Sequence, residues 1–163
     1  MTVLLVSTCA EPLSEAEFVA PLERIACDAG GTVESVHLDT LEGVPEGVSH
    51  ILLAGTALQD DKYLKEITAV KRLLGAGRPL LAVCSGMQLL ADACGGEIIA
   101  QREIGMVAVE TLVENPLCAG RFEAFALHRH AVEPGPRLEV LARSEGCAQV
   151  VRHRELPVWG VLF

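Results

Sequence analysis

The sequence predicts an α/β fold: a mostly parallel central sheet flanked by helices, with antiparallel strands added in the C-terminal part. Three observations carry this. The first hundred residues alternate short apolar runs with helical periodicities. The segment Pro79-Leu80-Leu81-Ala82-Val83-Cys84 ends a strand-like run at a cysteine, and Ser85-Gly86-Met87-Gln88-Leu89-Leu90 continues as a helix. From Glu97 onwards, strand-like segments follow one another without helices between them.

Taken in order, Val3–Val6 is a continuous apolar run, as a strand buried on both faces requires. Helical spacing joins Phe18, Leu22, Ile25 and Ala29, so a helix is expected over 15–29, with Ser14 as N-cap, Glu17 closing a capping box, and Gly30-Gly31 as the stop. A second strand spans 32–37, a loop 38–49 and a third strand 50–54. Leu64, Ile67, Val70, Leu73 and Leu74 place a helix over 60–76, and the fourth strand runs over 79–83. After Cys84, a helix with Met87, Leu90, Ala91 and Cys94 on one face stops at Gly95-Gly96. The segments 97–101, 105–113, 121–128, 138–144, 148–153 and 158–163 read as strands, antiparallel additions beside the parallel core.

The totals bound the function. A chain of 163 residues, half of them apolar and 4% aromatic, suits one domain, residues 1–163, with an aliphatic core. A formal net charge of −9 argues against nucleic acid and anionic membrane as partners. No segment has the length of a membrane span, and the N-terminus reads as a first strand and not as a signal peptide. The six cysteines, at 9, 27, 84, 94, 118 and 147, form no Cys-x-x-Cys pair, so a reduced cytoplasmic protein with one reactive thiol is expected. No metal ligands, cofactor or ATP-binding loop are expected.

Cys84 is the candidate nucleophile. A strand, a cramped turn and a helix present a side chain at the carboxyl end of a parallel sheet, and the turn needs small residues at Ala82 and Gly86. The helix N-terminus behind the thiol is expected to favour the thiolate.

Val83-Cys84-Ser85-Gly86-Met87-Gln88 resembles the nucleophile elbow of class I, triad-type glutamine amidotransferases, with the Gln four residues after the Cys as its distinguishing element. The resemblance extends over nearly the whole chain and implies a flavodoxin-like sheet. Leu52-Leu53-Ala54-Gly55-Thr56-Ala57 matches the family's Gly-rich turn, with Thr56 in place of the usual second small residue; a positive φ there would be costly. Ala126-Leu127-His128-Arg129-His130-Ala131-Val132 with Pro134 is similar to the Ser-His-x-Asp-x-Val-x-x-Pro segment, with His130 where Asp is usual, and Leu141-Ala142-Arg143-Ser144 is similar to the strand after it.

The resemblance implies that Cys84 attacks the side-chain amide of glutamine, that Gly55, Thr56 and Ser85 supply or adjoin the oxyanion donors, and that Gln88, Leu127 and His128 help bind glutamine. The ammonia would go to an ATP-dependent synthetase on another chain. His37, His50 and His153 are read as surface or strand-edge residues. Pro157-Val158-Trp159-Gly160-Val161-Leu162-Phe163 resembles the family's last core strand, after which the family carries His-Pro-Glu, the base and its orienting carboxylate. Ending at Phe163 therefore leaves two readings: a shortened form of an enzyme, expected to turn over little glutamine, or a non-catalytic binding or regulatory protein. A third, a cysteine hydrolase or redox relative, needs His128 or His130 close to Cys84.

Overall fold

Nine strands form one mixed sheet in the computed structural model, which describes residues 1–163. The strands are β1 (Thr2–Ser7), β2 (Thr32–His37), β3 (His50–Leu53), β4 (Leu80–Val83), β5 (Glu97–Thr111), β6 (Arg121–Glu133), β7 (Leu138–Arg143), β8 (Ala148–His153) and β9 (Val158–Val161). Their order across the sheet is β2-β1-β3-β4-β9-β8-β7-β5-β6. Helices α1 (Pro12–Phe18), α2 (Ala20–Asp28), α3 (Ile67–Gly75) and α4 (Ser85–Ala93) fill the connections between the early strands. The first four strands run parallel, as the alternation of apolar runs and helices predicts. β1 is buried along almost its whole length, whereas the edge strand β2 keeps polar side chains outward. Leu4, Val6, Leu53, Leu80, Met87 and Leu90 pack into the principal core, which joins β1, β3 and β4 to α4.

Four expectations are corrected. β9 is not an antiparallel addition to the core: it pairs parallel with β4 (Val83 opposite Val161) and antiparallel with β8, so it is the strand that welds the two halves of the sheet. The helix expected over 15–29 is two helices hinged at Val19. Pro21 has no N–H to donate to Glu17, so the ladder breaks there. The first helix starts at Pro12, with Glu11 as N-cap, and Ser14 caps nothing. The helix expected over 60–76 keeps only its second half: Lys62–Lys65 is a 3₁₀ turn. The Asp60 carboxylate accepts from the Lys62 N–H at 2.9 Å and from the Ala10 N–H at 2.6 Å, and this local bonding competes with a helical turn. Finally, the segments 97–101 and 105–113 are one strand of 15 residues, paired with the 13-residue β6 in a ribbon whose register shifts between Ala100 and Glu103.

Candidate functional site

The carboxyl ends of β1, β3 and β4 converge on Cys84, at the edge where open α/β sheets place their ligands. Cys84 has φ 51° and ψ −111°, and it is the single non-glycine residue with positive φ. These angles match the first central position of a type II′ turn, where glycine is the usual occupant. The chain holds the conformation from both sides. The Cys84 N–H donates to the Val161 carbonyl of β9 at 2.8 Å, and its carbonyl accepts the first bond of α4 from the Gln88 N–H at 3.1 Å. A Cβ on Gly86 would stand 2.6 Å from the Leu53 carbonyl oxygen, and Ala82 is fully buried. Gly86 is therefore required by close packing of α4 on β3, while Ala82 on β4 is fully buried.

Gly55 lies against the nucleophile: a Cβ there would come 3.1 Å from the Cβ of Cys84. The N–H groups of Gly55, Thr56 and Ser85 take no part in the turn and loop hydrogen bonds, and the Ser85 N–H faces the thiol. Thr56 does not adopt a positive φ, so its side chain carries no penalty. Its hydroxyl donates to Asp60 Oδ2 at 2.8 Å. Burial disfavours the charge on Asp60, but the donors from Lys62, Thr56 and Ala10 outweigh it and hold the carboxyl below its ordinary range. Thr8 closes the floor, donating to the Ala54 carbonyl at 3.1 Å and meeting the Ser85 hydroxyl at 3.0 Å.

The thiol itself departs from expectation. Burial pushes Cys84 up to about 11, against a lowering contribution from the Ser85 N–H, so the residue is a thiol at neutral pH. Neither His128 nor His130 hydrogen-bonds to Sγ; besides the Ser85 N–H, it meets the Leu127 carbonyl at 4.0 Å. His130 lies 3.3 Å from Asp61 Oδ1, to which Arg129 also donates at 2.7 Å, so the acid just before the 3₁₀ turn meets the histidine at the position where the family pattern has aspartate. His128 is buried and turned towards Glu103, with Nε2 3.3 Å from Oε2. Burial holds it below its ordinary range despite that carboxylate. No histidine is hydrogen-bonded to the thiol, although His128 and His130 border the same small cavity as Cys84.

Gln88 is buried with both ends of its amide engaged: Nε2 donates to the His130 carbonyl at 2.8 Å, and Oε1 accepts from the Tyr63 hydroxyl. It therefore ties α4 to β6. Tyr63, Asp60 and Arg129 escape the sequence reading; the signal available was that Tyr63 is the one tyrosine of the chain. Of the histidines read as surface residues, His153 is buried and its Nδ1 accepts from the N–H groups of Glu155 and Leu156. His37 is half-buried and lies 2.8 Å from the Cys9 carbonyl.

The cavity bounded by Thr56, Tyr63, Cys84, Gln88, Leu127 and Arg129 measures about 20 Å³, room for about one water. One wall of it continues outward along the ribbon. Leu127 pairs across the strands with Ile104, and two residues further on Phe125 pairs with Met106. Ile104, Met106 and Phe125 are 44%, 61% and 59% exposed, so an apolar strip leads from the mouth of the site to solvent. No helix is long and apolar enough to cross a membrane.

Comparison with known proteins places these features. A family model described as "Glutamine amidotransferase class-I" matches residues 14–163. The glutamine-hydrolyzing GMP synthase subunit of Methanococcus vannielii is 30% identical over 149 residues, 87% of this chain and 76% of that protein. Its counterpart in Methanocaldococcus jannaschii is 32% identical over 133 residues, 77% and 68% of the two chains. The match to the Pyrococcus furiosus protein of the same name, 34% identical over 92 residues, covers 52% of this chain, and the chain spans 49% of that relative's length. Among solved structures, a candidate GMP synthase subunit from Thermoplasma acidophilum superposes with TM-score 0.86 at 18% identity, over 100% of this chain and 83% of the other. A glutamine amidotransferase of Thermotoga maritima gives 0.78 at 21%, over 100% and 75%.

Proposed function

Because the chain belongs to the class I glutamine amidotransferase family, we propose that it takes the side-chain amide nitrogen from glutamine through Cys84 and passes ammonia to an ATP-dependent synthetase on another chain. The observation that carries the reading is the strained Cys84 turn, set among the uncommitted N–H groups of Gly55, Thr56 and Ser85. Sulfur attacks the amide carbon, and the developing oxyanion falls among those donors. The C–N bond then breaks, ammonia leaves with the proton taken from the thiol, and a glutamyl thioester remains. Water cleaves the thioester to glutamate and restores the thiol.

A half-buried, desolvated thiol raised to about 11 reacts slowly unless a base meets it. The family resemblance assigns that part to a His-Pro-Glu segment following a strand like β9. Leu127 and His128, with the backbone around them, are proposed to hold the amino-acid end of glutamine, and Gln88 to fix the wall they belong to. Because the cavity admits about one water, binding requires the Leu127–Arg129 edge and Tyr63 to separate. One domain over residues 1–163 is the proposed organisation, supported by the sharing of all nine strands in one sheet. The strip of Ile104, Met106 and Phe125 supports a docked synthetase over the site mouth, and the names of the relatives make a GMP-forming synthetase chain the first partner to test.

The protonated thiol also favours a second reading, a protein that binds glutamine or a partner without turnover. Glutamate release separates the two. It would be measured from glutamine with the 163-residue chain, with the chain extended by His-Pro-Glu and a following helix, and with Cys84→Ala as blank. Losing a member of such a triad costs roughly 10⁴-fold, so the extended form should exceed the shorter one by orders of magnitude. Equal turnover, abolished by Cys84→Ala, would place the base within residues 1–163. No Cys84-dependent release from either form would support the binding protein.

A further inference from the structure

On the sheet beyond Cys84, three elements bring together a carboxylate, an imidazole and a thiol. Glu103 comes from β5 just past the register shift, His128 from β6 directly opposite it, and Cys147 from the turn between β7 and β8. One ligand atom from each lies within 4.8 Å of the others. Glu103 Oε2 is 3.3 Å from His128 Nε2 and 3.3 Å from Cys147 Sγ. The edges of a tetrahedral zinc shell with bonds of about 2.0–2.3 Å run to about 3.3–3.6 Å, so two of the three edges are already near their bound lengths.

A second, independent observation points inward. His128 is 2% exposed, and neither of its ring nitrogens has a well-formed hydrogen bond. The ring meets Glu103 and the Gln101 and His130 backbone without a well-aligned bond to any of them; a buried imidazole so poorly paired is costly, and metal coordination is one way to satisfy it. The surroundings are built for Glu103. Ser144 Oγ donates to Oε1 at 2.8 Å and Gln149 Nε2 to Oε2 at 2.7 Å, which is the outer support that ligating carboxylates use. Gly146 stands where a Cβ would come 2.6 Å from Oε1. The Glu103 side of the cluster borders a cleft of about 560 Å³.

We propose that Glu103, His128 and Cys147 form a binding site for a zinc-class divalent ion, with water in the fourth position. Carboxylate, imidazole and thiolate are the mixed donor set that zinc accepts, and two anionic ligands neutralise the ion within a mostly buried site. The ion would cross-link the β5–β6 ribbon to the β7–β8 turn. It would thereby brace the strand whose Leu127 carbonyl lies 4.0 Å from Cys84 Sγ. The site goes beyond the amidotransferase reading but shares His128 with it, and the metal readouts below do not depend on glutamine turnover.

The test uses the full chain carrying Cys84→Ala and Cys27→Ala, which removes the candidate nucleophile and the exposed thiol as competing ligands. Titration with Co²⁺ should give one equivalent of tetrahedral d–d absorption with a thiolate-to-cobalt charge-transfer band. Zn²⁺ should displace it, and should raise Tm relative to chelator-treated protein. Cys147→Ala should abolish the charge-transfer band, and Glu103→Gln should weaken binding while preserving shape. Should Cys147→Ala fail to fold, X-ray absorption at the zinc edge of the parent must show one sulfur and two or three N/O neighbours. A band that survives Cys147→Ala, a spectrum without sulfur, or no stoichiometric uptake would each overturn the assignment.

Discussion

Replacing Cys84 by glycine and by alanine gives a stability order opposite to that found at ordinary positions. With φ 51° and ψ −111°, Cys84 occupies backbone space that a Cβ makes costly by roughly 1–3 kcal/mol. Alanine keeps the Cβ and the strain. Glycine removes both, but it loses about 0.5–1 kcal/mol because its unfolded chain is freer. The difference leaves Cys84→Gly more stable than Cys84→Ala by about 1 kcal/mol. That corresponds to a rise in Tm of about 2–4 °C for a chain of this size. Ala16, exposed within α1, serves as the control: there glycine should be less stable by about 0.5–1 kcal/mol. Urea unfolding followed by circular dichroism, with m-values checked for equality, measures both pairs. If the alanine variant at 84 matches or exceeds the glycine variant, the turn is not strained, and the structural case for a presented nucleophile loses its main support.

Gly86→Ala drives a methyl 2.6 Å from the Leu53 carbonyl oxygen and 2.9 Å from Leu53 Cγ, and should lower stability by about 1–3 kcal/mol in the same assay; a neutral substitution would show that α4 does not pack on β3 as described. Tyr63→Phe strands the buried Gln88 Oε1 and should cost about 1–3 kcal/mol, whereas an unchanged urea midpoint would mean that this bond is dispensable. Iodoacetamide mapping at about pH 7.5 should label exposed Cys27 before Cys84, and the Cys84 rate should climb about tenfold per pH unit towards its folded value of about 11; early, pH-independent labelling at Cys84 contradicts the burial argument. The same shift sets a sign for stability. The folded-state value lies above the ordinary 9.0, so the contribution is complete below about pH 9 and is lost as pH rises towards about 11. Cys84→Ala should flatten the alkaline limb of the stability curve, and a limb left unchanged would assign it to other groups.

The parts of the molecule legible in the sequence are those governed by neighbours in the chain. The apolar run ending at Cys84, the small residues at 82 and 86, and the alternation of periods point to the parallel core and the elbow, because a cramped turn and a buried strand each dictate residue type locally. What escapes depends on distant partners. Asp60 ends a helical pattern because Ala10, fifty residues earlier, donates to it. Cys84 stays protonated because the fold surrounds it. Glu103, His128 and Cys147 carry no telling spacing, since they come from separate strands and a turn far apart in the chain. Pro21 is a different case: its effect on the ladder is local, and the apolar spacing of Phe18, Leu22 and Ile25 masks it.

The central place of β9 bears on how the molecule is made. A ribosome delivers this strand after the other eight, yet it lies between β4 and β8. Until it arrives, both of those strands present open edges, which are templates for pairing with another chain. The nascent protein therefore holds two half-sheets connected through α4, with closure delayed until β9 emerges and dependent on contacts nearly eighty residues apart, such as Leu80 with Val158. Interruption of synthesis shortly before Val158 should yield aggregates and not a smaller soluble fold, and a chaperone that shields strand edges should act chiefly during that interval.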